Sequence, residues 1–226
     1  MLETRGLTKR FGGLAVVDQV SIRLPAGSKT ALTGANGAGK STLLAMLSTL
    51  MAPTEGEALI DGQSLATRPA ALRRRLGVLA HAPMLYEEFT PTENLRFFAD
   101  LYGVPDAEPR IEELLRTVGL WSRRHERTEV FSRGYHQRLA LARVLVHRPA
   151  LLLLDEPETG LDREGMALLD ELMLKAPGVT VLAATHRLDR IEQWADGVIH
   201  LERGRVAEDT TAGAIDAATA EAGAAR

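Results

Sequence analysis

The apolar residues of this chain fall into short runs and into longer segments of helical spacing. Near the start, Val20, Ile22 and Leu24 alternate with polar Ser21 and Arg23, which is typical of a half-buried strand. The uninterrupted run "ALLLL" instead suits a strand that is buried on both faces of a parallel sheet. By these patterns we expect strands at 1–11, 16–24, 29–34, 56–61, 76–80, 150–154 and 179–185, and a hairpin at 197–208.

Helical spacing dominates the middle of the chain. Between residues 107 and 120, the apolar residues Ile111, Leu114, Leu115 and Val118 share one face of a helix. A threonine, Thr92, is a candidate N-cap for the helix that precedes this one. We expect helices at 40–53, 93–103, 107–120, 135–147, 163–176 and 188–195.

Strands and helices alternate on both sides of this helical stretch. The order predicts an α/β sheet with an inserted α-helical lobe, and no internal repeat is visible. We therefore expect one domain over 1–226. Its catalytic core would comprise about 1–85 and 148–208, its helical lobe about 86–147, and its Ala-rich C-terminal tail 209–226.

Composition and charge narrow the classes of function. The net charge is −3 and no long basic block occurs, so nucleic acid is not an expected partner. The chain has no cysteine, which excludes disulfides and thiolate metal sites within it. The N-terminal sequence lacks the apolar region of a signal peptide, and the longest apolar run is far shorter than the ~20 residues that span a bilayer.

The segment "GANGAGKS" at 34–41 matches the pattern G-x-x-x-x-G-K-[ST], and it lies between a predicted strand and a predicted helix. Glycines there let backbone N–H groups converge on phosphate oxygens, and the helix adds its positive dipole end. Lys40 would reach the β- and γ-phosphates, Ser41 would bind Mg²⁺ and Thr42 would support the α-phosphate. The predicted ATP-binding residues of this loop are Gly34, Ala35, Asn36, Gly37, Ala38, Gly39, Lys40, Ser41 and Thr42.

The segment "LLLLDEP" at 151–157 supplies the second half of a nucleotide-hydrolysis site. A buried strand delivers two acids at its carboxyl end, which is where α/β sheets bind ligands. Asp155 would hold Mg²⁺, and Glu156 would polarise the attacking water.

Three further segments make the chain resemble the ABC-type ATPases. "FSRGYHQRLALAR" at 131–143 resembles the signature L-S-G-G-Q motif, although Phe131, Arg133 and Tyr135 depart from it. "TGLD" at 159–162 resembles the D-loop, and "ATH" at 184–186 resembles the strand end that carries the switch histidine. The aromatic and aliphatic residues that stack on adenine would be Phe11 and Val16, although Phe11 could equally belong to the core.

This resemblance spans about residues 1–208. It implies a P-loop NTPase core with a RecA-like, mainly parallel sheet, an antiparallel β subdomain and an inserted helical lobe. It also implies ATP and Mg²⁺ as cofactors, and a catalytic role for His186 at the γ-phosphate.

The resemblance further implies a head-to-tail homodimer closed by ATP. Ser132, Arg133, Gly134 and Asp162 would contact the nucleotide held by the other copy. Arg133 would add positive charge at that interface, or it would be a solvated side chain with no such role.

His81, within "GVLAHAP", occupies the position where the family has the glutamine of its Q-loop. A neutral imidazole offers one acceptor nitrogen, so it can take part of the glutamine's role towards Mg²⁺ or water. Packing in the core is the alternative for this residue.

The resemblance implies a separate membrane permease, which would bring the chain to the cytoplasmic face of the membrane. A short helix of the permease would dock in a groove of which Met84, Leu85, Tyr86, Phe89, Phe97 and Phe98 are candidate lining residues, although most of these would be lobe core. His81 and "FSRG" look most like the haem-exporter subunits of cytochrome c-type biogenesis, and another small-substrate, drug or lipid exporter is the alternative. A small-molecule kinase and an ABC protein acting on DNA or ribosomes are the hypotheses from other classes.

Overall fold

A computed structural model describes residues 1–67, 69–174 and 176–211 of the protein. Part of the predicted tail at 209–226 therefore lies outside the described residues. The strands are β1 Leu2–Phe11, β2 Leu14–Val20, β3 Arg23–Leu24, β4 Lys29–Thr33, β5 Glu55–Ile60, β6 Gln63–Ser64, β7 Leu76–Leu79, β8 Leu151–Asp155, β9 Thr180–Ala184, β10 Gly197–Glu202 and β11 Arg205–Asp209. The α-helices are α1 Lys40–Leu47, α2 Pro69–Arg73, α3 Pro91–Tyr102, α4 Ala107–Thr117, α5 Arg133–Leu145, α6 Arg163–Leu169 and α7 Leu188–Ile191.

Two sheets organise these elements. The larger sheet has the strand order β11-β10-β4-β9-β8-β7, and its neighbours are parallel except for the antiparallel β10–β11 hairpin. The smaller sheet is antiparallel, with the order β2-β1-β5-β6 and with β3 paired to β1. The predicted class, an α/β P-loop NTPase core with an antiparallel β subdomain and a helical insertion, is confirmed.

Both faces of the larger sheet are covered, which explains the uninterrupted apolar run in β8. Leu151 and Leu153 pack with α1 and the antiparallel sheet. Leu152 and Leu154 face the other way and pack in the cluster formed with α3, α4 and α5. Since each face of β8 is buried, no polar position alternates along it.

Several predicted boundaries are wrong for local reasons. The first helix ends at Leu47 instead of continuing to residue 53, because Thr49 adopts a left-handed backbone with φ 62°. The helix expected at 163–176 is regular only over α6 and widens into a π-helical turn over Asp170–Leu174. The segment 16–24 divides into β2 and β3 at Ser21 and Ile22, and the two strands pair with different parts of β1.

Thr92 is not the N-cap of α3. Thr90 takes that place in a capping box, in which its Oγ1 accepts from the Glu93 N–H at 3.2 Å and Glu93 Oε2 accepts from the Thr90 N–H at 2.8 Å. Pro91 at the first helical position favours the same start. The hydroxyl of Thr92 instead donates to the Arg124 carbonyl at 3.1 Å.

The helical lobe packs on the sheet through α5. Of the four residues predicted to share the α4 face, Ile111, Leu114 and Leu115 are buried, as is Val118 just after the helix. The C-cap of α3 is Gly103, with φ 66°. No helix in the described part of the chain is long and apolar enough to span a bilayer.

Candidate active site

The loop between β4 and α1 has the backbone that a phosphate site requires. Gly34, Gly37 and Gly39 have φ values of 140°, 80° and 105°, a region that residues with a β-carbon rarely adopt. At Gly39 a β-carbon would lie 2.6 Å from the carbonyl oxygen of Val16, so space excludes a side chain as well. The loop therefore presents its N–H groups at the start of α1, where the helix dipole favours an anion.

Lys40 is the first residue of α1 and is buried, with 7% of its surface exposed. Its Nζ donates to the carbonyls of Gly34 at 2.7 Å and Ala35 at 3.1 Å. Burial lowers the pKa of Lys40, and the nearby charges of Glu156 and Asp155 oppose that shift. The two carbonyls thus hold the ammonium group in the loop, and phosphate oxygens would take their place as its acceptors when a nucleotide binds.

The other predicted loop residues lie on the turn and in the first turn of α1, and their contacts with nucleotide and Mg²⁺ stay predictions. The Ala38 N–H donates to the Ala35 carbonyl at 3.1 Å, which closes the turn, and Asn36 is exposed on it. Ser41 is exposed and Thr42 is half-buried in the first turn of α1. The hydroxyl of Ser41 and the carboxylate of Asp155 are hard oxygen donors of the kind that Mg²⁺ prefers.

Asp155 and Glu156 lie at the carboxyl edge of the parallel sheet. Asp155 ends β8 and pairs with Ala184 of β9, and the Glu156 N–H donates to the Ala184 carbonyl at 2.9 Å. Glu156 has φ 49°, a left-handed conformation that costs a residue with a side chain about 1–3 kcal/mol. Such strain is typical of functional positions and turns the carboxylate away from the strand.

His186 lies directly after β9 and contacts this carboxylate, with 3.0 Å between its Nε2 and Glu156 Oε1. Both side chains are partly exposed. The preceding residue, Thr185, donates through its Oγ1 to Glu158 Oε1 at 2.8 Å and accepts from the Arg187 N–H at 2.9 Å. These bonds fix the loop that carries His186. The predicted pair of Glu156 and His186 is therefore assembled in one place.

His81 is exposed on the loop that follows β7. The alternative of core packing is therefore wrong. It lines a cavity of about 70 Å³ together with Asp155 and Glu156. That position agrees with a Q-loop residue, and its proposed contact with Mg²⁺ or water stays a prediction.

His136 lines the same cavity and was not predicted. It lies in the first turn of α5, and its Nε2 is buried with no hydrogen-bond partner among the described residues. Gln137, its neighbour, also lines the cavity and donates to the Pro157 carbonyl at 3.2 Å. The only signal in the sequence was their place in the segment 131–143.

The start of α5 adjoins the loop at 159–162. Ser132 is the N-cap, and its Oγ accepts from the Tyr135 N–H at 3.4 Å. Arg133 lies across Gly160, with its Nε 3.0 Å from the position of a β-carbon there, and it lines the cavity of Glu156 in the same chain. Gly134 faces the carbonyl of Gly160. The predicted contacts of these residues with a second copy stay predictions.

Asp162 is bonded within its own chain. It is the N-cap of α6, where Oδ1 accepts from the Gly165 N–H at 2.8 Å, and both of its oxygens accept from Arg138 Nη2 at 2.8 Å. These bonds hold the pKa of Asp162 below its usual value. Arg138, buried in α5, also reaches Glu164 Oε2 at 3.0 Å, so this arginine joins α5 to α6.

The predicted adenine-stacking residues lie at the end of β1 and in β2. Phe11 has 48% of its surface exposed, so it is not a core residue. Val16 is half-buried, and its carbonyl oxygen lies against Gly39 of the phosphate loop. The main chain of β2 thus adjoins the loop, and stacking on a base stays a prediction.

The predicted groove residues include an exposed aromatic cluster. The ring centroid of Tyr86 lies 5.1 Å from that of Phe89 and 4.9 Å from that of Phe97. Tyr86, Phe97 and Met84 are exposed, whereas Leu85 and Phe98 are half-buried against the lobe core. Only part of the predicted set is therefore accessible to a partner.

The family model described as ABC transporter matches residues 17–159. The ABC transporter ATP-binding protein NatA of Bacillus subtilis is 35% identical, over 84% of this chain and 79% of NatA. The daunorubicin/doxorubicin resistance ATP-binding protein DrrA of Streptomyces peucetius is 37% identical, over 95% of this chain and 66% of DrrA. The bacitracin transport ATP-binding protein BcrA of Bacillus licheniformis is 35% identical, over 92% of this chain and 69% of BcrA.

Solved structures match the fold over most of the chain. One, described as the ATP-binding subunit of an ABC transporter, has a TM-score of 0.87 at 35% identity and covers 92% of this chain and 89% of its own. Another is a dimeric ATP-binding cassette in a post-hydrolysis state with ADP and Pi, with a TM-score of 0.84 at 26% identity, covering 92% of this chain and 97% of its own. Neither these two structures nor NatA, DrrA and BcrA have names that mention haem or cytochrome c.

Proposed function

This chain belongs to the ABC transporter family and is an ATPase, and on that premise we propose that it is the nucleotide-binding subunit that powers the separate permease of an exporter. The observation that carries the hydrolysis part is the contact between His186 and Glu156, beside Lys40 and the phosphate loop. We retain the division into a core at 1–85 and 148–208 and a lobe at 86–147 as part of this proposal.

Different residues of the site would bind the phosphates, hold Mg²⁺ and accept the proton of the attacking water. The N–H groups of the phosphate loop and Lys40 bind the phosphates, which orients the γ-phosphate for attack. Ser41 and Asp155 would hold Mg²⁺, which neutralises charge on the phosphate oxygens when bound. Glu156 accepts the proton of the attacking water. His186 holds that carboxylate in place through its Nε2 and would contact the γ-phosphate.

A second copy completes each site. Ser132 and the N–H groups around Gly134 lie at the start of α5, and an exposed helix N-terminus of this kind binds anions. In a head-to-tail pair they would meet the γ-phosphate held by the other copy. The relative that binds ADP and Pi is a dimer, which supports this arrangement.

The permease would dock on the exposed aromatic cluster of Tyr86 and Phe97, next to the loop of His81. In this way it would hold the chain at the cytoplasmic face of the membrane. A movement of the docked segment would then be transmitted through the loop of His81 to the cavity of Glu156, which His81 also lines. The groove residues Met84 and Phe89 belong to the same proposal.

Drug or peptide-antibiotic export is the substrate class that we favour over haem. DrrA is named for daunorubicin and doxorubicin resistance, and BcrA is named for bacitracin transport. His81 and the "FSRG" segment resemble those of haem exporters, but the names of NatA, DrrA and BcrA do not support that specialisation. The exporter alternative therefore replaces it.

The test is reconstitution with the permease. A tagged Glu156→Gln variant, cross-linked with ATP in its native cells, should capture a protein with several membrane-spanning helices. Inverted vesicles that contain both wild-type proteins should accumulate daunorubicin when Mg-ATP is present. Capture of a kinase substrate or of ribosomal RNA instead of a membrane protein would contradict the transporter assignment. Haem uptake without daunorubicin uptake would contradict the substrate class.

A further inference from the structure

A second cavity, of about 420 Å³, lies at the far end of the helical lobe from the nucleotide site. Its wall includes the end of α3 at Tyr102, the start of α4 at Asp106, and His147 just after α5. His147 Nε2 bonds the carbonyl of Leu76 at 2.9 Å, and Leu76 is the first residue of β7. The cavity therefore borders the amino edge of the sheet, whereas Asp155 lies at the carboxyl edge.

The charged side chains of this cavity sum to a small positive value. Three arginines, Arg74, Arg110 and Arg148, line it together with two acids, Asp106 and Glu113. Arg110 is engaged, since its Nη1 lies 2.9 Å from Glu113 and its Nη2 donates to the Leu145 carbonyl.

The other two guanidinium groups are available to a ligand. Neither Arg74 nor Arg148 forms an ion pair with any residue of the described ranges, and both are exposed. Arg74 Nη2 lies 3.8 Å from where a β-carbon on Gly103 would be, so this guanidinium adjoins the glycine that ends α3. Two unpaired guanidinium groups in a concavity favour a carboxylate or a phosphate group.

The rest of the wall is flat and apolar. Tyr102 stacks on His147 with 3.8 Å between ring centroids and 8° between planes. Burial lowers the pKa of His147, and its bond to the Leu76 carbonyl opposes that shift. Val104, which is half-buried, also lines the cavity. Its volume lies within the range of small-molecule sites, about 300–1,000 Å³.

We propose that this cavity binds a small organic anion, with a carboxylate held by Arg74 and Arg148 and a flat apolar body held against Tyr102 and Val104. A single negative charge complements the surplus of one arginine over the acids. The site is independent of the proposed function, since its residues take no part in the phosphate loop or in α5's first turn. Its occupation can therefore be measured while the nucleotide site is filled.

The experiment titrates the Mg-ADP-saturated protein with 2-naphthoate in a calorimeter. Two further probes separate charge from shape: 2-naphthamide has the rings without the charge, and acetate has the charge without the rings. We expect one molecule of naphthoate per chain, with a Kd of about 1 mM or tighter, and at least about tenfold weaker binding of either other probe.

Variants identify the site. Arg148→Gln and Arg74→Gln should each weaken naphthoate binding about tenfold, which corresponds to ~1.4 kcal/mol. Arg203→Gln is the matched control, because Arg203 is also exposed, has a similar left-handed φ (50° against 53° for Arg148) and forms no ion pair among the described residues. It should leave the Kd unchanged.

Three results would overturn the proposal. These are no saturable binding of naphthoate, equal binding of naphthamide, or an equal loss of affinity in Arg203→Gln and Arg148→Gln. Circular dichroism melts of each variant show whether it is folded. Since Arg74 and Arg148 make no ion pair in the described structure, we expect both variants to have the same melting temperature as the wild type.

Discussion

Replacement of Lys40 by methionine separates nucleotide binding from folding. Methionine fills a similar volume, so the change removes mainly the ammonium group. That group would bond the β- and γ-phosphates, and hydrogen bonds to charged groups contribute about 1.5–3 kcal/mol each. In the free protein the same group already donates to the carbonyls of Gly34 and Ala35. Because those hydrogen bonds are lost when it turns to the phosphates, part of the binding free energy is offset. We expect ATP affinity to fall at least about 100-fold.

Folding should not suffer in the same variant. Gly34 is only half-buried and Ala35 is exposed, so water can replace the ammonium at both carbonyls. Burial lowers the pKa of Lys40, which means that the charged side chain opposes folding at neutral pH. The wild type regains that stability only as the pH rises through the lowered pKa towards the unfolded value of 10.5. At pH 7 the variant should therefore be at least as stable as the wild type.

Lys29→Met is the matched control. Lys29 is also buried and donates through Nζ to the carbonyls of Ala176 and Val179, but it lies at the start of β4, away from the phosphate loop. Burial lowers the pKa of Lys29 as it does that of Lys40, so folding should respond in the same direction in both variants, whereas ATP affinity should be unchanged in Lys29→Met. Calorimetric ATP titration and urea unfolding measure the two effects. Wild-type ATP affinity in Lys40→Met, or a loss of affinity in both variants, would refute the assignment of the phosphate loop.

Three further substitutions test the surroundings of the site. Gly77→Ala should lower the free energy of unfolding, measured in urea, by about 1–3 kcal/mol, because the new β-carbon would lie 2.8 Å from Val144 Cγ1. An unchanged midpoint of urea unfolding would contradict the packing of α5 on β7. Arg138→Met breaks the link to Asp162 and should slow hydrolysis without changing ATP affinity, so a wild-type rate would remove its positioning role. His81→Leu should slow hydrolysis at least about tenfold with ATP affinity retained, and an unaltered rate would mean that the histidine is dispensable.

The parts of the site that could be predicted depend on short stretches of chain. A glycine pattern between a strand and a helix fixes its own backbone, so Lys40 and Ser41 are placed by residues within one turn of them. Acids at the end of a buried strand are placed by the sheet, as Asp155 shows. The capping box of Thr90 and Glu93 is equally local, and it is visible in the sequence as a threonine three residues before a glutamate, so the prediction of Thr92 as the N-cap is wrong although the signal is present.

The rest depends on how distant elements pack. His136 reaches the cavity of Glu156 only because of the rotation of α5 on the sheet, and no spacing rule encodes that rotation. Arg133 lies across Gly160, which is 27 positions away in the sequence, for the same reason. The cavity lined by Arg74, Arg110 and Arg148 likewise combines residues from three separate segments of the chain. Tertiary packing, rather than local pattern, determines these contacts.

The most direct test of the account is the molar mass of Glu156→Gln in the presence of ATP. Glutamine keeps the shape of the side chain but cannot take the proton of the attacking water, so ATP should stay bound between two copies. Light scattering should give the mass of a dimer with Mg-ATP and of a monomer without it. Adding Ser132→Arg should return the protein to a monomer that still binds ATP. A monomer in Glu156→Gln at saturating Mg-ATP, or a dimer that persists with Ser132→Arg, would contradict the shared site.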